Sequence, residues 1–153
     1  MVSWPKKENI MIKIIENLTD FELNVISKIW LQSNLDTHDF IPSEYWIKNY
    51  NSVREGLSNT IIYTYSYEDE IVGFLGLVDD YIAGIFVLKA FRSLGVGTKL
   101  LNEAKSKNNR LTLSVFKRNK QAIHFYQMNG FKILQERLDN ETNELEYLMN
   151  WNQ

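Results

Sequence analysis

The sequence predicts an α+β fold: a central mixed, mostly antiparallel twisted sheet with helices on both faces, in the order β-α-α-β-β-β-α-β-α-β-β. Three observations carry this. Three β-type runs follow one another between residues 60 and 87, separated only by short polar turns, as in an antiparallel meander. Two helical segments precede them. After them, a turn with two glycines opens an amphipathic helix that carries the chain to a further strand at 110–115, and such a crossover predicts one parallel pair.

Residues 1–10 are polar and patternless and are read as an N-terminal extension, with 11–153 forming one domain. Residues 12–15 suit a short strand. Thr19 and Glu22 form a capping box, a hydroxyl at the helix start with a carboxylate three residues on. The helix that follows repeats Leu23, Ile26 and Trp30 on one face and is expected to end near Ser33. Residues 34–42, with His38 among them, are expected to be a loop. A second helix should open after Pro42, capped by Ser43, carry Tyr45, Trp46, Tyr50, Val53 and Leu57, and end within 56–59. Strands at 60–67 and 71–78 make a hairpin, and 79–80 a tight break before the strand at 81–87. In the helix after the glycines, Val96, Leu100, Leu101 and Ala104 share a face. Asn119 caps a helix with Ala122, Ile123, Phe125 and Tyr126, which Gly130 ends. Residues 131–138 are a strand and 139–143 a turn. In the last strand Leu145, Tyr147, Met149 and Trp151 alternate with Glu146, Leu148 and Asn150.

Composition narrows the chemistry. The chain has no cysteine, which removes disulfides, thiolate metal sites and cysteine nucleophiles. Its two histidines, His38 and His124, have no metal-ligand spacing, so no metal is expected. A net charge of -2 argues against nucleic acid as a partner. No apolar run reaches the ~20 residues that span a bilayer, and the first residues lack the apolar core of a signal peptide. A cytoplasmic protein is expected, as a monomer or homodimer.

The glycine turn is the most informative stretch. A strand, a turn with Gly95 and Gly97, and a helix start together suit an anion, because the first N–H groups of a helix lack internal partners and sit at the positive end of its dipole. A dinucleotide fingerprint is excluded, since its third glycine falls on Leu100 and the acid ~20 residues on is missing. A P-loop is excluded by the order Gly97, Thr98, Lys99.

The motif that fits is Arg92-x-x-Gly95-x-Gly97. A second block follows, with Asn119, Ala122, Phe125, Tyr126, Gly130 and Phe131 in the pattern N-x-x-A-x-x-F-Y-x-x-x-G-F. With the element order, these blocks make the chain resemble the GNAT superfamily of acyl-CoA-dependent N-acetyltransferases over residues 12–151. Thr37, His38, Phe40 and Ile41 further resemble the T-H-x-F-I of small single-domain bacterial members.

That resemblance implies an acyltransferase that moves the acetyl group of acetyl-CoA, its co-substrate, to a primary amine on a small molecule, a protein lysine or an N-terminus. It implies that the donor pyrophosphate rests on the N–H groups of Leu94, Gly95, Val96, Gly97 and Thr98, with Arg92 in the same turn. Phe86 and Val87 would pair with the pantetheine arm, and Asn119 and Phe125 would flank it. Tyr126 would donate a proton to the leaving sulfur. Lys117, Arg118 and Lys120 form a small basic cluster, either a solvated face or a contact to the CoA 3′-phosphate. His38, Phe40, Trp46 and Asp79 are the acceptor-side candidates, and His38, Asp79 and Asp80 the candidate bases, the aspartates also reading simply as turn residues. The alternative is a CoA-binding sensor of the same fold without turnover.

Overall fold

The computed structural model describes residues 9–153. The expected extension therefore lies, for 1–8, outside the described residues. Its last residue does not: Ile10 opens the first strand and pairs with Tyr67.

The elements are β1 (Ile10–Ile15), α1 (Asp20–Thr37), α2 (Ser43–Lys48), α3 (Tyr50–Leu57), β2 (Ile61–Tyr67), β3 (Glu70–Val78), β4 (Tyr81–Val87), α4 (Val96–Lys107), β5 (Arg110–Phe116), α5 (Lys120–Met128), β6 (Lys132–Asp139) and β7 (Glu144–Asn152), with a short 3₁₀ turn at Lys89–Phe91. One seven-stranded sheet runs β1-β2-β3-β4-β5-β7-β6, with β7 inserted between β5 and β6. Among the described residues only β4 and β5 are parallel, as the crossover through α4 requires.

Each face of the sheet is covered. On one, Leu100, Leu101 and Ala104 of α4 and Tyr126 of α5 meet Tyr63, Tyr65, Leu75, Leu111, Leu113 and Met149. On the other, Ile26 and Trp30 of α1, Trp46 of α2 and Leu57 of α3 meet Ile62 and Phe74. Burying one such aliphatic side chain contributes about 2 kcal/mol, so the two layers hold the sheet from both sides.

Helix starts follow their caps. Thr19 N–H donates to Glu22 Oε1 at 2.9 Å while Glu22 N–H donates to Thr19 Oγ1 at 3.1 Å. Asn119 Oδ1 accepts Ala122 N–H at 3.2 Å, and Gly130 takes φ +88° just past α5. Two expectations fail. α1 runs four residues beyond Ser33, because Asn34 Nδ2 donates to Trp30 O and Thr37 Oγ1 to Ser33 O, turning polar residues that read as loop into helix. The second helix is two, broken at Asn49, whose side chain donates to Tyr45 O at 2.7 Å; Ser43 does not cap it, the position before it being Pro42, with no side-chain cap bond.

Candidate active site

β4 and β5 pair only at Tyr81 with Thr112 and Ile82 with Leu113. Just beyond, Ala83 is an extra residue in β4 against β3, a bulge, and from there the two strands part. The gap is a cavity of about 580 Å³ that passes between the two helical layers. Its walls are Ala83 to Val87 on one side and Ser114 to Phe116 on the other, with α4's first turn and α5 at one mouth and His38, Tyr45 and Trp46 at the other.

The register decides which backbone groups face the gap. Leu88 N–H donates to Val72 O at 2.9 Å. Antiparallel pairs alternate, so Phe86 exchanges its bonds with Phe74, and Ile85 and Val87 turn their N–H and C=O away from β3 toward the gap. The expectation for Phe86 is corrected here. Its backbone serves β3 and only its side chain lines the cavity, while Ile85, not singled out by the sequence, offers its backbone. The Val87 carbonyl is already engaged: Arg92 Nε donates to it at 2.9 Å and Ser33 Oγ at 3.4 Å.

At the turn before α4, Ser93 and Gly95 have φ +66° and +82°, and Gly95 is the residue before the helix. The N–H groups of Val96, Gly97 and Thr98 open the helix and have no partner within it. Gly95, Val96, Gly97 and Thr98 line the cavity; Leu94 does not. The two glycines serve different ends. Gly95 is needed for its dihedral, with open space where a Cβ would stand, whereas Gly97 lets the Phe125 ring lie against the helix start.

Asn119, Phe125 and Tyr126 line the cavity from α5. Burial, with a further push from Tyr81, raises the Tyr126 phenol above its ordinary pKa, so it stays protonated as a donor. The expected basic cluster is largely spoken for: Lys117 pairs with Glu136 at 2.6 Å and Arg118 with Glu144 at 3.1 Å.

At the opposite mouth, His38 follows the last residue of α1 and stacks on Trp46, ring centroids 5.5 Å apart. Both of its ring nitrogens are engaged, Nδ1 with Asn34 Oδ1 at 2.8 Å and Nε2 with Asn119 Nδ2 at 2.9 Å. Burial lowers its pKa to about 4, partly offset by Asp39. A neutral imidazole with neither nitrogen free makes a poor base. Phe40 packs edge-on to His38 and Phe116 rather than lining the cavity, with the Arg118 guanidinium over its ring. Asp79 stands at φ +54° in the β3–β4 turn, away from the cavity, and the neighbouring Asp80 is paired with Arg110; both are turn residues.

Glu146 is the one carboxylate lining the cavity among the described residues. It lies on β7 opposite Phe116 and is bound by Arg137 at 2.8 Å, whose other nitrogen donates to Ser114 Oγ at 2.7 Å. Nearby, Tyr45 O–H donates to Glu141 at 2.9 Å, and burial, that bond and the charges of Glu141, Asp139 and Glu146 push its pKa up. No group of three or more histidine or acidic side chains suited to a metal occurs among the described residues, and no described helix is long and apolar enough to cross a membrane.

The sequence profile of the acetyltransferase (GNAT) domain matches residues 58–133, which include β4, the glycine turn and α5. Peptidyl-lysine N-acetyltransferase YiaC of Escherichia coli K12 is 30% identical over 132 residues, covering 85% of this chain and 90% of YiaC. The chain belongs to the GNAT acetyltransferase family. This GNAT enzyme is also similar to peptidyl-lysine N-acetyltransferase YjaB of the same organism, 35% identical over 106 residues, 69% of this chain and 72% of YjaB. The solution structure of apo YjaB superposes with a TM-score of 0.80, covering 92% of this chain and 97% of that one. A putative streptothricin acetyltransferase from Bacillus anthracis, solved with acetyl coenzyme A, matches with a TM-score of 0.56 and 28% identity over 61% of this chain and 62% of its own. The GNAT chain described here is thus an N-acetyltransferase.

Proposed function

We propose that this acetyltransferase acylates a lysine-type primary amine, with acetyl-CoA entering between β4 and β5 from the α4–α5 mouth and the amine from the mouth at Trp46 and Glu146. The observation that carries this is the parting of β4 from β5 after Ile82, which leaves one passage through the sheet with an anion site at one end and an aromatic, acidic opening at the other. The names of YiaC and YjaB support the lysine acceptor.

On this reading the pyrophosphate rests on the N–H groups of Gly95 to Thr98, where helix dipole and unpaired donors favour negative charge. The gap-facing backbone of Ile85 and Val87 pairs with the pantetheine arm, and one of these N–H groups polarises the thioester carbonyl as an oxyanion donor does. The amine attacks the carbonyl carbon; the C–N bond forms, the C–S bond breaks, and sulfur leaves with the electron pair. Tyr126 O–H hydrogen-bonds to that sulfur and gives it a proton as it departs, and the proton that the nitrogen sheds as the amide forms returns to the phenolate through solvent.

The acceptor must arrive neutral. A lysine amine with pKa near 10.4 costs about 4–5 kcal/mol to deprotonate at pH 7. Glu146 is the acceptor-side group suited to hold the ammonium and pass its proton to solvent, and the Trp46 and Phe116 rings suit the cation and its alkyl stem.

Competition between peptides tests the acceptor class. With acetyl-CoA, a peptide blocked at its N-terminus and carrying one lysine should gain an Nε-acetyl group. Acetylation confined to free α-amines, or to small amines alone, would overturn the lysine assignment.

A further inference from the structure

The end of α1 touches both banks of the gap where β4 and β5 separate. Toward β4, Ser33 Oγ and Arg92 Nε both donate to the Val87 carbonyl, and Arg92 Nη2 reaches Asp36 Oδ2 at 3.3 Å. Toward α5, His38 bridges Asn34 and Asn119.

The second bridge has a defined proton order. Asn119 Oδ1 accepts the Ala122 N–H, so its amide nitrogen faces His38 and donates to Nε2. His38 therefore carries its proton on Nδ1 and donates to Asn34 Oδ1, whose own amide nitrogen donates to Trp30 O at 2.9 Å. Every member of this run is both donor and acceptor, and such a network fixes the geometry of the groups it joins.

We propose that the last turn of α1 is a brace that sets the width of the donor passage, with Asp36–Arg92 and His38–Asn119 as its two arms. His38, Asn34 and Asp36 are then positioning residues: they hold the β4 edge and the start of α5 at the separation acetyl-CoA needs. Backbone pairing does not fix that separation, because β4 and β5 share no ladder beyond Ile82 and Leu113, and side-chain contacts must hold it instead. The inference rests on the reading of this passage as the donor site, and its test is built to be judged apart from that reading.

The chain has no cysteine, so spin labels can be placed at will. Lys89→Cys and Lys120→Cys put one exposed label on each bank. Pulsed dipolar spectroscopy on the ligand-free protein should give a narrow distance distribution for the parent. It should broaden or shift for His38→Phe, which keeps an aromatic ring against Trp46 but loses both hydrogen bonds, and more for His38→Phe with Asp36→Asn. His38→Gln, which restores a donor and an acceptor, should recover part of the narrow distribution. In parallel, acetyl-CoA should bind about fivefold or more weakly to His38→Phe, the loss expected for a hydrogen-bonded support. Unchanged distances in His38→Phe and in the double variant would overturn the brace. If His38→Phe fails to fold, Asp36→Asn on the half-exposed arm carries the same comparison, and unchanged distance there would overturn that arm. A parent that does not bind acetyl-CoA would sink the donor-site reading instead, leaving the brace to be decided by the distances alone.

Discussion

Gly97 and Phe125 touch at the mouth of the donor passage: a Cβ on Gly97 would stand 3.2 Å from the tip of the Phe125 ring. That contact seats α5 against the first turn of α4. Gly97→Ala should displace the ring by a few tenths of an ångström and raise the KM for acetyl-CoA severalfold, with only a small fall in Tm. Gly95→Ala acts by another route, since its φ of +82° costs an L-residue about 1–2 kcal/mol. It should lower Tm by several degrees as well as weaken donor binding. Melting curves and acetyl-CoA titrations on the two variants check the difference.

Tyr126→Phe keeps the packing against Phe125 and Phe131 and removes only the hydroxyl. A positioned general acid contributes about 10²–10⁴-fold, so kcat should fall roughly a hundredfold or more while acetyl-CoA binding stays near that of the parent. Because the phenol lies above its ordinary pKa, the parent should show no loss of activity from Tyr126 ionisation up to pH 9. Unchanged turnover in the variant removes Tyr126 from the chemistry.

Glu146→Gln tests the acceptor mouth. Losing a charged hydrogen-bond partner for an ammonium should raise the KM for a lysine peptide by about tenfold or more and leave that for acetyl-CoA within about twofold. The partner left behind, Arg137, is partly solvated and still bonds Ser114, so stability should change little. Equal KM values for parent and variant would place the acceptor elsewhere.

His38 links the site to pH. Its pKa in the folded protein is about 4, against 6.5 for the free side chain, so the unfolded chain takes up the proton first. Its contribution to native stability is full above pH 6.5 and is lost as the pH falls toward 4, by up to about 3 kcal/mol. Urea midpoints of the parent should fall over that window more steeply than those of His38→Gln. Parallel curves would show that His38 does not carry the dependence.

How far the sequence reaches depends on how local the cause is. The capping box of Thr19 and Glu22, the cap at Asn119, the left-handed Gly130 and the single parallel pair follow from short-range chemistry, and the structure has each of them. The end of α1 does not, because Ser33 and Asn34 read as breakers until Val87 O supplies a partner for Ser33 and Trp30 O and His38 supply those of Asn34. Which β4 residues offer backbone to the gap depends on the Ala83 bulge and on register, so the sequence points to Phe86 where the structure has Ile85. Glu146 was visible only as the polar half of an alternating strand. Its place beside Phe116 comes from β7 inserting between β5 and β6, a long-range pairing no short window encodes. The sequence singles out His38, which lines the cavity, but the engagement of both its ring nitrogens comes from Asn34 and the distant Asn119 and is not legible there.

The most direct measurement follows both products of one reaction. With acetyl-CoA and a lysine peptide, the enzyme should release free thiol and form Nε-acetyl-lysine in equal amounts, with neither formed when enzyme or peptide is omitted and both falling sharply in Tyr126→Phe. Acetyl-CoA that binds with no thiol released for any amine acceptor would contradict transfer through this passage and make the protein a CoA-binding sensor.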